Sequence, residues 1–302
     1  MRKNLIYKGS WTFYGALLVL MLAVLLPGYH LYQGTNGTFS LPRDEAFLQL
    51  STAKTLAFTH TWGISKDHFE AASPSLLYPL LLAIAFFLFG AHLIVAILVN
   101  TVIAILLLIC IDKWLKKKGI QPLTQLLILL AVILLSPLPL MIIYGMERTL
   151  LLLLVFLAAS GFIDEWDQPA FSRRTLLYCA LTVATSYEGL LLIAVACALL
   201  LWQHRWPGAF ELALWALLPM IIFGFIALSK RAYFFPNPWI VDFSSQFSYD
   251  WMIGCSAAVI VPLAHQRFHI RKRPAQWMIT SACLAIILLF TRNVYAAWDM
   301  NR

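Results

Sequence analysis

Apolar runs recur along the whole chain and are parted by short polar intervals. They cover Trp11 to Pro27, Leu76 to Gly90, Leu93 to Ile111, Leu126 to Met141, Leu150 to Phe162, Leu176 to Trp202, Leu212 to Ala227, Met252 to Leu263 and Trp277 to Phe290. Several approach the roughly 20 residues that cross a bilayer core, whereas others are short enough to be tilted, broken or sheltered. The pattern predicts an all-α, polytopic membrane helix bundle with about nine transmembrane segments. One membrane domain covers residues 1–302, with no separate soluble domain. The longest polar interval, about residues 30–73, is too short for an independent core and reads as a first outside loop. Within it, helical spacing puts Phe47, Leu50, Lys54 and Phe58 near one face, with Gln49, Ser51 and Thr52 elsewhere. Such a segment suits a helix lying in the membrane interface.

Composition agrees with a membrane setting. Hydrophobic residues make up 61% of the chain, charged residues only 12%, and mean hydropathy is +0.80, which excludes an ordinary soluble domain. The net charge of +8 comes from clusters flanking the apolar runs: Arg2-Lys3, Lys113 to Lys118, Arg173-Arg174, His204-Arg205 and Arg267 to Arg273. Clusters so placed set orientation and meet lipid headgroups, and no arginine–aromatic stripe supports nucleic-acid binding. All five cysteines lie inside apolar runs and read as small buried hydrophobes. The first run lacks a small-residue cleavage site and reads as an uncleaved span.

Charge bias puts the amino terminus inside and the first loop outside. The middle of the chain resists this count. Two spans between Leu76 and Ile111 would send Lys113 to Lys118 outside. The run from Leu176 to Trp202 is longer than one crossing needs and is interrupted at Ser186-Tyr187-Glu188-Gly189, so it reads either as one span or as a hairpin.

Candidate chemistry sits in the polar interruptions. Asp44 and Glu45 follow Pro42 where a helix would start, and the exposed N–H groups there favour carboxylates. Asp44 therefore reads as a helix cap, or as a general base or metal ligand near lipid headgroups, with Glu45 as its support. Lys54 shares the loop. Glu147-Arg148 is either a charge pair at a span end or a functional group between spans; Glu188 needs a partner or a polar cavity. Lys230 and Arg231 are placed to meet a phosphate. Asn237 and Trp239, in a proline-stiffened aromatic loop, suit a sugar or lipid head, and Arg292 and Asp299 close the last apolar run.

Taken together, Arg43-Asp44-Glu45-Ala46-Phe47, Ala53 to Ala57, Ser73-Pro74-Ser75-Leu76-Leu77-Tyr78-Pro79, Gly145-Met146-Glu147-Arg148-Thr149, Tyr187-Glu188-Gly189 and Pro236-Asn237-Pro238 resemble the membrane part of a GT-C glycosyltransferase. The likeness is to a bacterial branch that includes arabinofuranosyltransferase-like proteins. The resemblance implies transfer of a sugar from a polyprenyl-phosphate donor to a lipid, glycan or protein acceptor on the extracytoplasmic side of the bacterial cytoplasmic membrane. It gives Asp44 the catalytic role, with a divalent cation at Asp44 in metal-dependent relatives, and sets Glu147 and Glu188 facing the cavity. It departs from the branch at Ser186-Tyr187, where an arginine–proline pair usually stands, and at Arg302, where related enzymes continue. The expectation is a fragment, a minimal member, or one part of a split enzyme with a partner subunit. Two other readings stand beside it: a transporter or lipid flippase, and a non-catalytic subunit of a cell-envelope assembly.

Overall fold

The computed structural model describes residues 11–34, 41, 44–168 and 170–235. Among them the secondary structure is entirely helical: α1 (Trp11–Gly34), α2 (Asp44–Thr59), α3 (Leu77–Phe89), α4 (Leu93–Lys117), α5 (Pro122–Leu135), α6 (Leu138–Ile143), α7 (Arg148–Glu165), α8 (Arg173–Thr185), α9 (Gly189–Trp202) and α10 (Trp206–Ser229).

Helix boundaries follow local chemistry. Proline occupies the first turn of α5 and of α10, where its missing N–H costs nothing. The hydroxyl of Ser172 caps α8 by accepting from the Thr175 N–H. Glycine ends α3, with Gly90 at φ +85°. The apolar run Leu126 to Met141 breaks at Ser136-Pro137 into α5 and the short α6.

Three helices, α1 (over Trp11–His30), α4 and α10, are long and apolar enough to cross a membrane. Their outward faces are themselves apolar. On α10, Trp206, Phe210, Leu214, Leu218, Ile222 and Ile226 form an exposed row spaced four residues apart, and Ile94, Leu98, Val102 and Leu106 are exposed on α4. Apolar surface on that scale is costly in water and suits the lipid-facing side of a membrane helix. Nine spans are not seen. Met252 to Leu263 and Trp277 to Phe290 lie outside the described residues, and α3, α5 and α9 are short apolar helices of 13, 14 and 14 residues.

The helices pack neighbour on neighbour: α1 along α5 and α6, α4 on α7, α7 on α8, α8 and α9 on α10, and α2 on α3. Leu107, Leu129, Ile133, Met141, Ile142 and Phe162 are among the fully buried side chains of this core. Polar contacts fix which ends lie together. Lys117 and Lys118, at the end of α4, bind Asp164 at the end of α7 at 2.6 and 2.8 Å. Glu165 accepts from the backbone and hydroxyl of Ser172 at the start of α8, at 2.8 and 2.7 Å. Arg205, before α10, donates to the carbonyls of Trp166 and Gln168. Three basic clusters thereby share one end of the bundle.

Two alternatives left open for the middle of the chain narrow here. The run Leu176 to Trp202 is a hairpin, split at Ser186-Tyr187-Glu188 into α8 and α9. The pair Leu76 to Ile111 is not two full crossings. Tyr78, at the start of α3, reaches the Gly145 carbonyl, and Asn100, two turns into α4, reaches the neighbouring Met146 carbonyl. A three-residue turn joins α3 to the beginning of α4. α3 therefore stays on the side of the bundle where α4 begins, away from Lys117.

Candidate functional site: a buried polar junction under the first loop

The site is built on a break in a helix. α6 ends at Ile143, Tyr144 continues, and Gly145 turns the chain at φ +66° into Met146, Glu147 and α7. A side chain at Gly145 would crowd the Leu41 methyls at 3.3 Å and touch Ala96 at an ordinary 3.5 Å, so it is the positive φ that calls for glycine. Breaking a helix strands backbone carbonyls that must find donors where water is absent. Two come from other helices: the Tyr78 hydroxyl donates to the Gly145 carbonyl and the Asn100 amide to the Met146 carbonyl, each at 3.0 Å. The Glu147 carbonyl accepts from the Leu151 N–H at 2.9 Å and starts α7.

The side chain of Glu147 is the centre of the junction. It is 6% exposed, at a helix start whose free N–H groups favour negative charge. Its carboxylate accepts from the side-chain amide of Gln49 on α2. Gln49, Tyr78 and Asn100 are fully buried. Elements α2, α3, α4 and the α6–α7 break thus each contribute a polar group to one buried spot.

α2 is inverted relative to a helix in water. Phe47, Lys54 and Phe58 are exposed, while Gln49, Thr52 and Thr55 are buried with Ala46, Leu50 and Ala53. The expected grouping of Phe47, Lys54 and Phe58 is found, but Leu50 belongs to the inward side. Leu50 stands on the border between the two sides, three and four residues from the exposed Phe47 and Lys54 but also three and four from the buried Ala53 and Ala46, and it is buried with the latter. Lys54 points away from Glu147 and does not join the junction.

A second carboxylate sits at the same end. Glu188 is half-buried and begins α9 after the α8–α9 break. The first loop is tied to that break by the Leu76 N–H, which donates to the Ala184 carbonyl at 2.9 Å. The loop also rests on α10, with Trp62 edge-on to Phe223 at 5.3 Å and Phe69 at 6.1 Å from the same ring. Seven residues past Phe223, Lys230 and Arg231 are exposed just beyond α10.

Asp44 and Glu45 form the first turn of α2, and their side chains lie outside the described residues, as do Asn237, Trp239, Arg292 and Asp299. The structure brings the starts of α2 and α3, Glu147, Glu188 and the end of α10 to one end of the bundle, opposite the basic clusters. Sequence reasoning missed Gln49, Tyr78 and Asn100 as site residues. Asn100 carried a signal, since it is the only amide in α4 and, with Thr101, interrupts the apolar run from Leu93 to Ile111, where a polar group is a functional clue. Comparison with family models, with curated proteins and with solved structures returns no match for this chain.

Proposed function

We propose that this chain is a membrane glycosyltransferase of the GT-C type, moving a sugar from a polyprenyl-phosphate donor to a lipid, glycan or protein acceptor. The observation that carries the reading is the course of α2. Asp44 opens this helix, and five residues later Gln49 holds Glu147 at the α6–α7 break. A carboxylate-headed helix with its polar side turned inward is anchored where two broken helices present carboxylates of their own.

The side of the membrane follows from charge. With Lys113 to Lys118, Arg173-Arg174 and Arg205 gathered at one end, the positive-inside rule makes that end cytoplasmic and the α2 end extracytoplasmic. The hairpin at Glu188 and the one-sided α3 remove the parity conflict between these clusters and an inside amino terminus. The bacterial cytoplasmic membrane is the setting that suits a polyprenyl-phosphate sugar.

In this reading Asp44 takes the proton of an acceptor hydroxyl. The acceptor oxygen forms a bond to the anomeric carbon, the bond from that carbon to the phosphate oxygen breaks, and polyprenyl phosphate leaves with the electron pair and inversion at the sugar. Lys230, Arg231 or Arg292 offsets the charge on the departing phosphate. Glu45 supports Asp44, Asn237 and Trp239 meet the sugar or lipid head, and a divalent cation, where the reaction uses one, belongs at Asp44.

The test is Asp44→Asn, assayed for transfer from membrane polyprenyl-phosphate sugars at matched protein abundance. Loss of a general base lowers turnover by roughly 10²–10⁴-fold. Transfer at the wild-type rate would remove Asp44 from the chemistry. The buried carboxylate at a broken helix also favours a second reading, a transporter or flippase, because such breaks bind cargo and coupling ions. That reading expects substrate movement across proteoliposomes to fail in Glu147→Gln while Asp44→Asn moves substrate normally.

A further inference from the structure

Lipid suits every position of the exposed face of α10 but one. Glu211 lies three residues before Leu214, seven before Leu218 and eleven before Ile222, so it stands on their side of the helix. It is half-buried, five residues or about 7.5 Å along the helix from Trp206. Its carboxylate has no hydrogen bond or ion pair among the described residues. The exposed row on α4 differs, because no acidic or basic residue lies between Leu93 and Ile111. A carboxylate within a span calls for a cation or a polar cavity, and hydrocarbon supplies neither. The α10 face therefore fits a protein neighbour that carries a cation at the depth of Glu211.

The chain that follows α10 carries one. Residues 236–302 lie outside the described residues, and their sequence holds the apolar run Met252 to Leu263. His265, Arg267, His269, Arg271, Lys272 and Arg273 come directly after it. Twelve apolar residues make about 18 Å of helix, short of a hydrocarbon core of about 30 Å. A run that starts at the outer boundary thus brings its first cations into the membrane. Ser229 stands eighteen residues, about 27 Å, from Glu211, while Arg267 and Arg271 stand fifteen and nineteen residues from Met252. Laid antiparallel with their outer ends level, the two segments set Glu211 between Arg267 and Arg271.

We infer that this face of α10 is the docking surface for the chain's own segment Met252 to Arg273, seated antiparallel with Arg267 and Arg271 at Glu211. Charge complementarity carries the assignment: opposite charges, each costly in hydrocarbon, meet at one depth. The positive-inside rule agrees, since it sends the basic stretch to the end where Lys117, Lys118 and Arg205 gather. The return onto α10 begins within the described residues. Arg231 turns the chain at φ +62°, and the Ala232 N–H donates to the Ala227 carbonyl at 2.9 Å. The ring of Phe234 then fills the place of a Cβ at Gly224 and stands edge-on to Phe225 at 6.0 Å. This inference does not rest on the transferase reading.

The experiment uses the full chain in native membranes, with every native cysteine but Cys255 replaced by serine. Cysteine pairs are oxidised, and the linked peptides are identified by mass spectrometry. Ile226→Cys should link to Cys255 within one chain. With Cys255 also replaced, Ile222→Cys should link to Val259→Cys. Leu98→Cys, on the exposed row of α4, should not link to Cys255. Links between two chains would give the face to a second copy, and no link in either α10 pair would leave it to lipid. Either result overturns the inference, as does a link from Leu98→Cys as strong as that from Ile226→Cys. Melting of the full chain purified in detergent tests the charge match. Glu211→Lys should lower the melting temperature, and Arg267→Glu or Arg271→Glu added to it should recover at least half of the loss. Arg173→Glu should recover none. No recovery from either reversal, or equal recovery from Arg173→Glu, overturns the pairing. The cross-linking arm keeps Glu211 intact, so it decides the docking even where Glu211→Lys fails to fold. Sugar transfer is not measured in any arm, so failure here leaves the Asp44 test untouched.

Discussion

At the scale of single residues, the close approaches in this bundle decide which substitutions it tolerates. Gly189 opens α9 directly against α8, and a Cβ there would meet the Thr182 methyl at 2.7 Å and the Thr182 carbonyl oxygen at 2.9 Å. A side chain can rotate away, but a helical carbonyl cannot. Gly189→Ala should therefore destabilise the protein by about 1–3 kcal/mol, the usual range for overpacking. Gly208, in the first turn of α10, has nothing within 4 Å of its missing Cβ, and Gly208→Ala should be neutral or stabilise by up to about 1 kcal/mol through helix propensity. Thermal melts of both variants in one detergent check the pair; equal melting would deny the tight α8–α9 contact. Residue-level chemistry was partly legible in the sequence. Glu147 and Glu188 stood out because a carboxylate amid apolar residues needs a reason. Gln49 did not, because a glutamine in a polar loop looks ordinary until the fold shows that its helix turns the polar side inward.

At the scale of helices, the union of α4 with α7 is written in charge as well as in packing. Asp164 is partly buried, which on its own would raise its carboxyl, but the hydrogen bonds and charges of Lys117 and Lys118 outweigh that and hold it below its ordinary value. A depressed carboxyl stabilises the fold above its unfolded-state value of about 4. That contribution is lost as the pH falls through the lower folded-state value. Asp164→Asn should flatten the acid side of the stability profile and cost about 0.2–1 kcal/mol near neutrality, since the lysines are largely solvated. Melting temperatures of both proteins from pH 7 down to the acid limit test this, and parallel profiles would contradict it. Helix existence was legible from hydropathy, because each apolar run in the described residues became a helix or a broken pair. Whether a run crosses the membrane was not. A lipid-facing helix is apolar nearly all round, so periodicity cannot tell a span from a helix such as α3 that turns back. The Ser136-Pro137 break and the Gly145 turn could be suspected locally, but only packing shows that Tyr78 and Asn100 make the second one affordable.

At the scale of the whole molecule, the two ends of the bundle differ in chemistry, and the difference is open to mapping. Single cysteines at Lys118 and Arg174 should react with a membrane-impermeant maleimide only after the membrane is opened, whereas those at Lys54 and Lys230 should react in intact cells. Of the five native cysteines, Cys110, Cys179 and Cys197 are buried or half-buried, and Cys255 and Cys283 are replaced by serine to keep the background low. Labelling of positions 118 and 230 from the same side would refute the orientation. The contact between Gln49 and Glu147 bears, finally, on how the chain is made. Its partners are 98 residues apart, and at about 5–20 residues per second a ribosome needs roughly 5–20 s to go from one to the other. Through that interval α2 has its aromatic side suited to lipid and its amide and hydroxyls suited to a core that does not yet exist. The helix cannot settle as it emerges. Its final position is set late in synthesis, when the turn at Gly145 arrives to receive it, so assembly proceeds backwards from the middle of the chain to its beginning.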